Sequence, residues 1–62
     1  MFLTVVLVNY NTGYLLHEVM NSLRSASSGM TLKIIIVDNA SKDDSVSIIQ
    51  RDFPECILIA NT

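Results

Sequence analysis

A single cysteine, a single proline, two glycines, no tryptophan and only four basic residues mark this 62-residue sequence. One thiol, Cys56, cannot close an internal disulfide and has no second thiol with which to form a zinc cluster. Oxidised miniprotein scaffolds are thereby excluded, and a reducing compartment or an inert buried thiol fits instead. The basic residues Arg24, Lys33, Lys42 and Arg51 are scattered, and six acids leave a formal charge of −2. Nucleic-acid binding needs a basic stripe, so no nucleic-acid partner is expected. The glycines, Gly13 and Gly29, stand apart, so neither a G-x-G-x-x-G fingerprint nor a glycine-rich phosphate loop occurs. Long apolar runs are missing too. The stretch Met1 to Val8, broken by Thr4, is far short of the ~20 residues that span a bilayer, and no basic residue precedes it as in a signal peptide. It reads as a strand of a cytoplasmic protein.

What remains is a chain that is 50% hydrophobic, enough for one small domain. At this size a chain buries only about 60% of the surface that its unfolded form exposes. Three runs, Leu3 to Val8, Leu32 to Asp38 and Cys56 to Ala60, are short, β-branched and bounded by polar or turn-forming residues, which predicts three strands. Leu15, Leu16, Val19, Met20, Leu23 and Ala26 recur at helical steps, predicting a helix over 13–26 with Thr12 or Asn11 as its cap. Ser41-Lys42-Asp43-Asp44 has the form of a capping box and predicts a second helix, striped by Val46, Ile49 and Phe53 and stopped by Pro54 near Asp52.

The resulting β-α-β-α-β order implies an α/β unit with a parallel, Rossmann-like sheet of three strands. In the strand order 3-2-1 both crossover helices fall on one face and the other face is bare, whereas a 2-1-3 order puts one helix on each face. Either arrangement reads as part of a larger sheet, and the chain as an incomplete domain.

Ligands of open parallel sheets bind outside the carboxyl ends of the strands. Three polar segments meet there: Asn9 to Thr12, Asp38 to Ser41, and Asn61-Thr62. Asp38 can accept hydrogen bonds from a ribose hydroxyl or a base imide, or it can bond to the amides of its own loop in an Asx-turn. Tyr10 offers a ring for a planar base, or closes the sheet end. Asn11 contacts ligand or caps the first helix, the favoured single role being the cap. Asp43 and Asp44 need no metal, because the first turn of a helix stabilises negative charge. The segment Asn39-Ala40-Ser41, leading into a helix, could hold a phosphate through its amides. His17 has no partner with which to build a triad or a metal site and reads as a surface histidine. Cys56 reads as a small buried hydrophobe.

Together the segments Val8-Asn9-Tyr10-Asn11, the helix with paired Leu15 and Leu16, and Ile34 to Ser45 (IIIVDNASKDDS) resemble the amino-terminal region of family 2 glycosyltransferases. The match is densest over Val37 to Ser45, with Asp44 where a glycine is common in the family. The Asp38-Asn39 pair looks most like the rhamnosyltransferase-type branch. The resemblance covers the whole chain but only the opening part of a typical family catalytic domain.

It implies a partial GT-A fold with strand order 3-2-1, and residues 1–62 forming the amino-terminal, nucleotide-binding part of a glycosyltransferase domain. By position, Tyr10, Asn11, Asp38 and Asn39 would hold the nucleotide of a UDP- or dTDP-sugar. The parent enzyme would pass a sugar to a glycan or a lipid-linked acceptor, in the cytoplasm or peripherally at the inner face of the membrane. The family's Asp-x-Asp metal motif and catalytic base lie further on. No catalytic residue, metal ligand or cofactor is therefore expected in this chain, a divalent Mg or Mn is expected for a full-length member, and the 62 residues alone should be inactive. Two other readings compete: a non-enzymatic module that self-associates through an uncovered sheet face, and a flavodoxin- or receiver-like fragment. Asn9-Tyr10-Asn11 lacks the paired acids of a receiver.

Overall fold

A computed structural model describes residues 1–61; the expectation placed on Thr62 lies outside the described residues. The elements are β1 (Phe2–Asn9), a 3-10 turn (Gly13–Leu15) running into α1 (Leu16–Ala26), β2 (Thr31–Asn39), α2 (Ser45–Asp52) and β3 (Ile57–Asn61). The three strands form one parallel sheet in the order β1-β2-β3, which is 3-2-1 read from the other edge. The fold is thus the expected α/β, Rossmann-like β-α-β-α-β unit, consistent with a partial GT-A fold.

Alternation along the strands decides which side chains face the helices. Ile34 and Ile36 of β2 point to one face and pack with Leu16 and Met20 of α1, Ile48 and Ile49 of α2, and Phe53 just beyond it. Both helices therefore cover the same face. Met20 and Ile36 are completely buried, and Leu7, Leu32 and Leu58 extend the same row at its margins. On the opposite face the register aligns Val6 with Ile35 and Ile57, and Val8 with Val37 and Ile59. Four of these side chains stand open to solvent, Val8 at 74% exposure and Val6 at 60%, with Ile57 and Ile59 less so. The bare face expected from the order 3-2-1 is present.

The first helix begins as a tight 3-10 turn because Leu15 N–H bonds to Thr12 C=O at 2.9 Å. It ends before Gly29, whose φ of +82° lies in the left-handed region that glycine adopts without a Cβ penalty. The second helix corrects the sequence reading. It starts at Ser45, four residues after the expected cap, and Ser41 makes no helix-capping bond. Asp43 serves that end instead: its Oδ1 accepts the Ser45 amide at 3.0 Å and also the Ser45 hydroxyl. Pro54 follows the helix as expected, with Phe53 already out of helical geometry at φ −130°.

Candidate functional site

The register places Asn9 opposite Asp38 at the carboxyl ends of β1 and β2, both on the helix-covered face. Both side chains are buried, and the Asn9 amide donates to Asp38 Oδ1 at 2.9 Å. Beyond this pair the chain turns sharply twice. Asn11 (φ +52°) and Ala40 (φ +56°) each adopt a left-handed conformation unusual for a residue with a side chain.

Ser41 joins the two turns. Its hydroxyl donates to Asp38 Oδ1 at 2.6 Å and accepts the Asn11 amide at 3.0 Å and the Asn9 side-chain amide at 3.3 Å. Its own amide donates to Asp38 Oδ2 at 3.0 Å. Thr12 Oγ1 in turn donates to Asn9 Oδ1 at 2.6 Å. A second lacing runs outside the first. Asn11 Oδ1 accepts the amides of Lys42 at 2.7 Å and Asp43 at 3.3 Å, while Asp43 Oδ2 accepts the Gly13 amide at 3.0 Å. The approach at Gly13 is close enough that a Cβ there would lie 2.8 Å from Ser45 Oγ.

These bonds set the charge of the site. Burial pushes the Asp38 carboxyl up, but hydrogen bonds from the Ser41 hydroxyl, the Asn9 amide and the Ser41 amide outweigh it and hold the group below its ordinary value, against the repulsion of Asp43. The Ser45 hydroxyl, against a smaller opposing effect of desolvation and aided by the Gly13 and Ser45 amides, lowers Asp43 as well. Asp38 is therefore an ionised acceptor at neutral pH. A carboxylate offers about four acceptor positions, and protein donors fill three of them here. The fourth, on Oδ2, has no protein donor among the described residues.

Of the four expected site residues, the structure brings Asp38 and Asn11 into one hydrogen-bonded network and leaves Tyr10, and Asn39 at the end of β2, exposed outside it. Tyr10 is 57% exposed and sits between Asn9 and Asn11, whereas Asp38, at 1%, lies beneath the surface and bonds to the amide and hydroxyl of Ser41 in its own loop, three residues on rather than in a two-residue Asx-turn. Asn11 does not cap α1; its side chain crosses to the loop after β2 because its left-handed backbone turns it that way. The loop amides of Ser41, Lys42, Asp43 and Ser45 are all occupied by side-chain oxygens of the protein, so they are not free to cradle a phosphate. Asn9, Ser41, Gly13 and Asp43 take part in the network without having been singled out for it. The one local signal is Ser41 three residues after Asp38, within reach of that aspartate's own side chain.

The remaining candidates sit elsewhere. His17 lies on the surface between the helices, with Nε2 2.9 Å from Asp52 Oδ2 and its ring 5.0 Å from that of Phe53. Burial, with the neighbouring Glu55 charge, raises the Cys56 thiol, so it stays protonated at neutral pH. Among the described residues no three His, Cys, Asp or Glu side chains gather as a metal site, and Asp43 accepts hydrogen bonds from Gly13 and Ser45. A cleft of about 390 Å³ opens at the opposite, amino end of the strands between Arg24, Met30, Leu32 and Cys56. Polar side chains converge on the carboxyl edge, and the site is placed there. Among the described residues no helix is long and apolar enough to cross a membrane.

The family model for glycosyl transferase family 2 matches residues 4–62 of the chain. No curated protein and no solved structure matches the chain.

Proposed function

The chain belongs to glycosyl transferase family 2, and from that premise we propose that its carboxyl-edge loops bind the nucleotide part of a nucleotide-diphospho-sugar, UDP- or dTDP-linked. The observation that carries this reading is the pairing of an exposed aromatic ring with an ionised, nearly saturated carboxylate across two laced loops. Tyr10 supplies a surface on which a pyrimidine stacks. Asn11 and Asn39 stand at the rim, and the one open acceptor position of Asp38 takes an imide or hydroxyl donor. The parent enzyme passes the sugar to a glycan or a lipid-linked acceptor, as the rhamnosyl- and hexosyltransferases of the family do, in the cytoplasm or at the inner face of the membrane. In this reading the 62 residues bind the nucleotide without transferring the sugar.

Titration calorimetry of the chain with UDP and dTDP tests the reading. Base–aromatic stacking contributes about 1–3 kcal/mol by alanine substitution, so Tyr10→Ala should weaken binding by about fivefold or more. Equal affinity in wild type and variant would remove Tyr10 from the site.

The bare sheet face favours a second reading, a non-enzymatic module that self-associates through it. With strands of 8, 9 and 5 residues, that face has a planar area of about 350 Å², from a rise of ~3.3 Å per residue and a strand spacing of ~4.8 Å. A stable interface needs about 800 Å² per partner. Face-to-face pairing alone falls short, which ranks this reading second.

A further inference from the structure

One side chain in the network answers to both loops. The Ser41 hydroxyl has one hydrogen and two acceptor positions, and all three are in use: the hydrogen on Asp38 Oδ1, the acceptor positions on the Asn11 amide and the Asn9 side chain. Tyr10 is the single residue between Asn9 and Asn11, and both of its neighbours are bonded to this oxygen. Asn39 and Ala40 lie inside the turn that the Ser41 amide closes on Asp38 Oδ2, with Ala40 left-handed. Tyr10 and Ala40, exposed on the two loops, thus owe their relative placement to Ser41.

We propose that Ser41 is the positioning residue of the nucleotide site, its hydroxyl holding the loop after β1 and the loop after β2 in one frame so that Tyr10 and the exposed turn at Ala40 beside Asn39 face the same ligand. This rests on the nucleotide-binding reading above. A cap of α2 would act on the helix alone. Ser41 acts on the site, because removing Oγ strips the Asn11 amide of its partner and frees a second acceptor position on Asp38, while the entry to α2 is held by Asp43, whose Oδ1 accepts the Ser45 amide and hydroxyl.

The test compares Ser41→Ala, the near-isosteric Ser41→Cys and the hydroxyl-retaining Ser41→Thr in the full chain. Two-dimensional amide NMR and carboxyl titration provide the first readout, and UDP and dTDP binding the second. In Ser41→Ala the amide signals of Tyr10, Asn11 and Asn39 move while those of Met20 and Ile36 stay in place, and the Asp38 midpoint rises, Asp43 being the other charge that bears on it. Affinity for UDP falls about tenfold, the weight of one hydrogen bond to a charged group. Ser41→Thr restores both readouts. Should Ser41→Ala fail to fold, Ser41→Cys must show the same pattern. The proposal is overturned if the Tyr10 and Asn39 signals stay still, if core signals move as much as theirs, or if Ser41→Thr folds without restoring them. A wild-type chain that binds neither nucleotide would refute the nucleotide reading, and the NMR comparison would still decide whether Ser41 sets the two loops.

Discussion

At Gly13 a whole side chain is excluded by the approach of another loop. A methyl group there would meet Ser45 Oγ at 2.8 Å, and Asp43 Oδ2 and Ser45 Cα at 3.2 Å, and backbone cannot yield as a flexible side chain can. Gly13→Ala should therefore destabilise the fold by about 1–3 kcal/mol, the usual cost of overpacking; a urea midpoint equal to that of wild type would contradict this. Gly13 also shows why the site was only partly legible. The residues were visible, and Asp38 at a strand end was an obvious candidate, but the partners of Asn9, Asn11, Gly13 and Ser41 lie about thirty positions away and no local pattern announces them. Asn11 and Ser41 each fit a local capping rule well, and each bonds across the loops instead.

Carboxylates at three positions make a further prediction. Asp38 and Asp43 are held below their ordinary value of 3.8, and Asp52 is lowered to about 2 by the hydrogen bond from Arg51 and, after the opposing effect of desolvation, by His17. When the folded pKa lies below the unfolded one, the unfolded chain takes up more protons as pH falls through that interval. Their stabilisation is complete above the unfolded value and declines as pH drops below 4 towards 2. Urea midpoints should be level near neutrality and fall steeply between pH 4 and pH 2.5. A midpoint unchanged at pH 2.5 would show that these bonds do not favour the folded state.

Among the elements, strands were the most legible. Their apolar runs are short and bounded by polar residues, and the observed bounds differ from the expected ones by one residue at each end. The start of α2 was not legible, because Ser41 to Asp44 has the composition of a helix entry but spends its side chains on Asp38, Gly13 and Ser45. Packing joins the elements through few residues. Met20 of α1 is completely buried in the one cluster that ties both helices to the sheet. Met20→Ala should cost about 2–5 kcal/mol, against a total of about 3–9 kcal/mol for a chain of this length. Thermal unfolding would register this as loss of most or all of the cooperative transition, and a Tm within a few degrees of wild type would contradict it.

For the molecule as a whole, the sheet is half covered. Phe2, Val6, Val8, Ile57 and Ile59 are exposed, and β1, eight residues long without a charge or a proline, has β2 on one side only. Unguarded edges and apolar faces of this kind promote association. In sedimentation velocity the wild-type chain should show concentration-dependent association, and a Val6→Thr, Ile59→Thr pair should reduce it. Equal behaviour of the two would acquit the face. The 3-2-1 order and the bare face followed from the alternation of strands and helices, since two like-handed crossovers in one direction leave one side open.

The central claim is that the carboxyl-edge loops are a nucleotide site, and amide-resolved NMR of the uniformly labelled 62-residue chain titrated with UDP and then dTDP tests it most directly. The account predicts saturable shifts confined to Tyr10, Asn11, Asp38, Asn39 and their immediate neighbours. No shifts with either nucleotide, or shifts centred on Arg24, Met30 and Cys56 at the opposite end of the sheet, would contradict it.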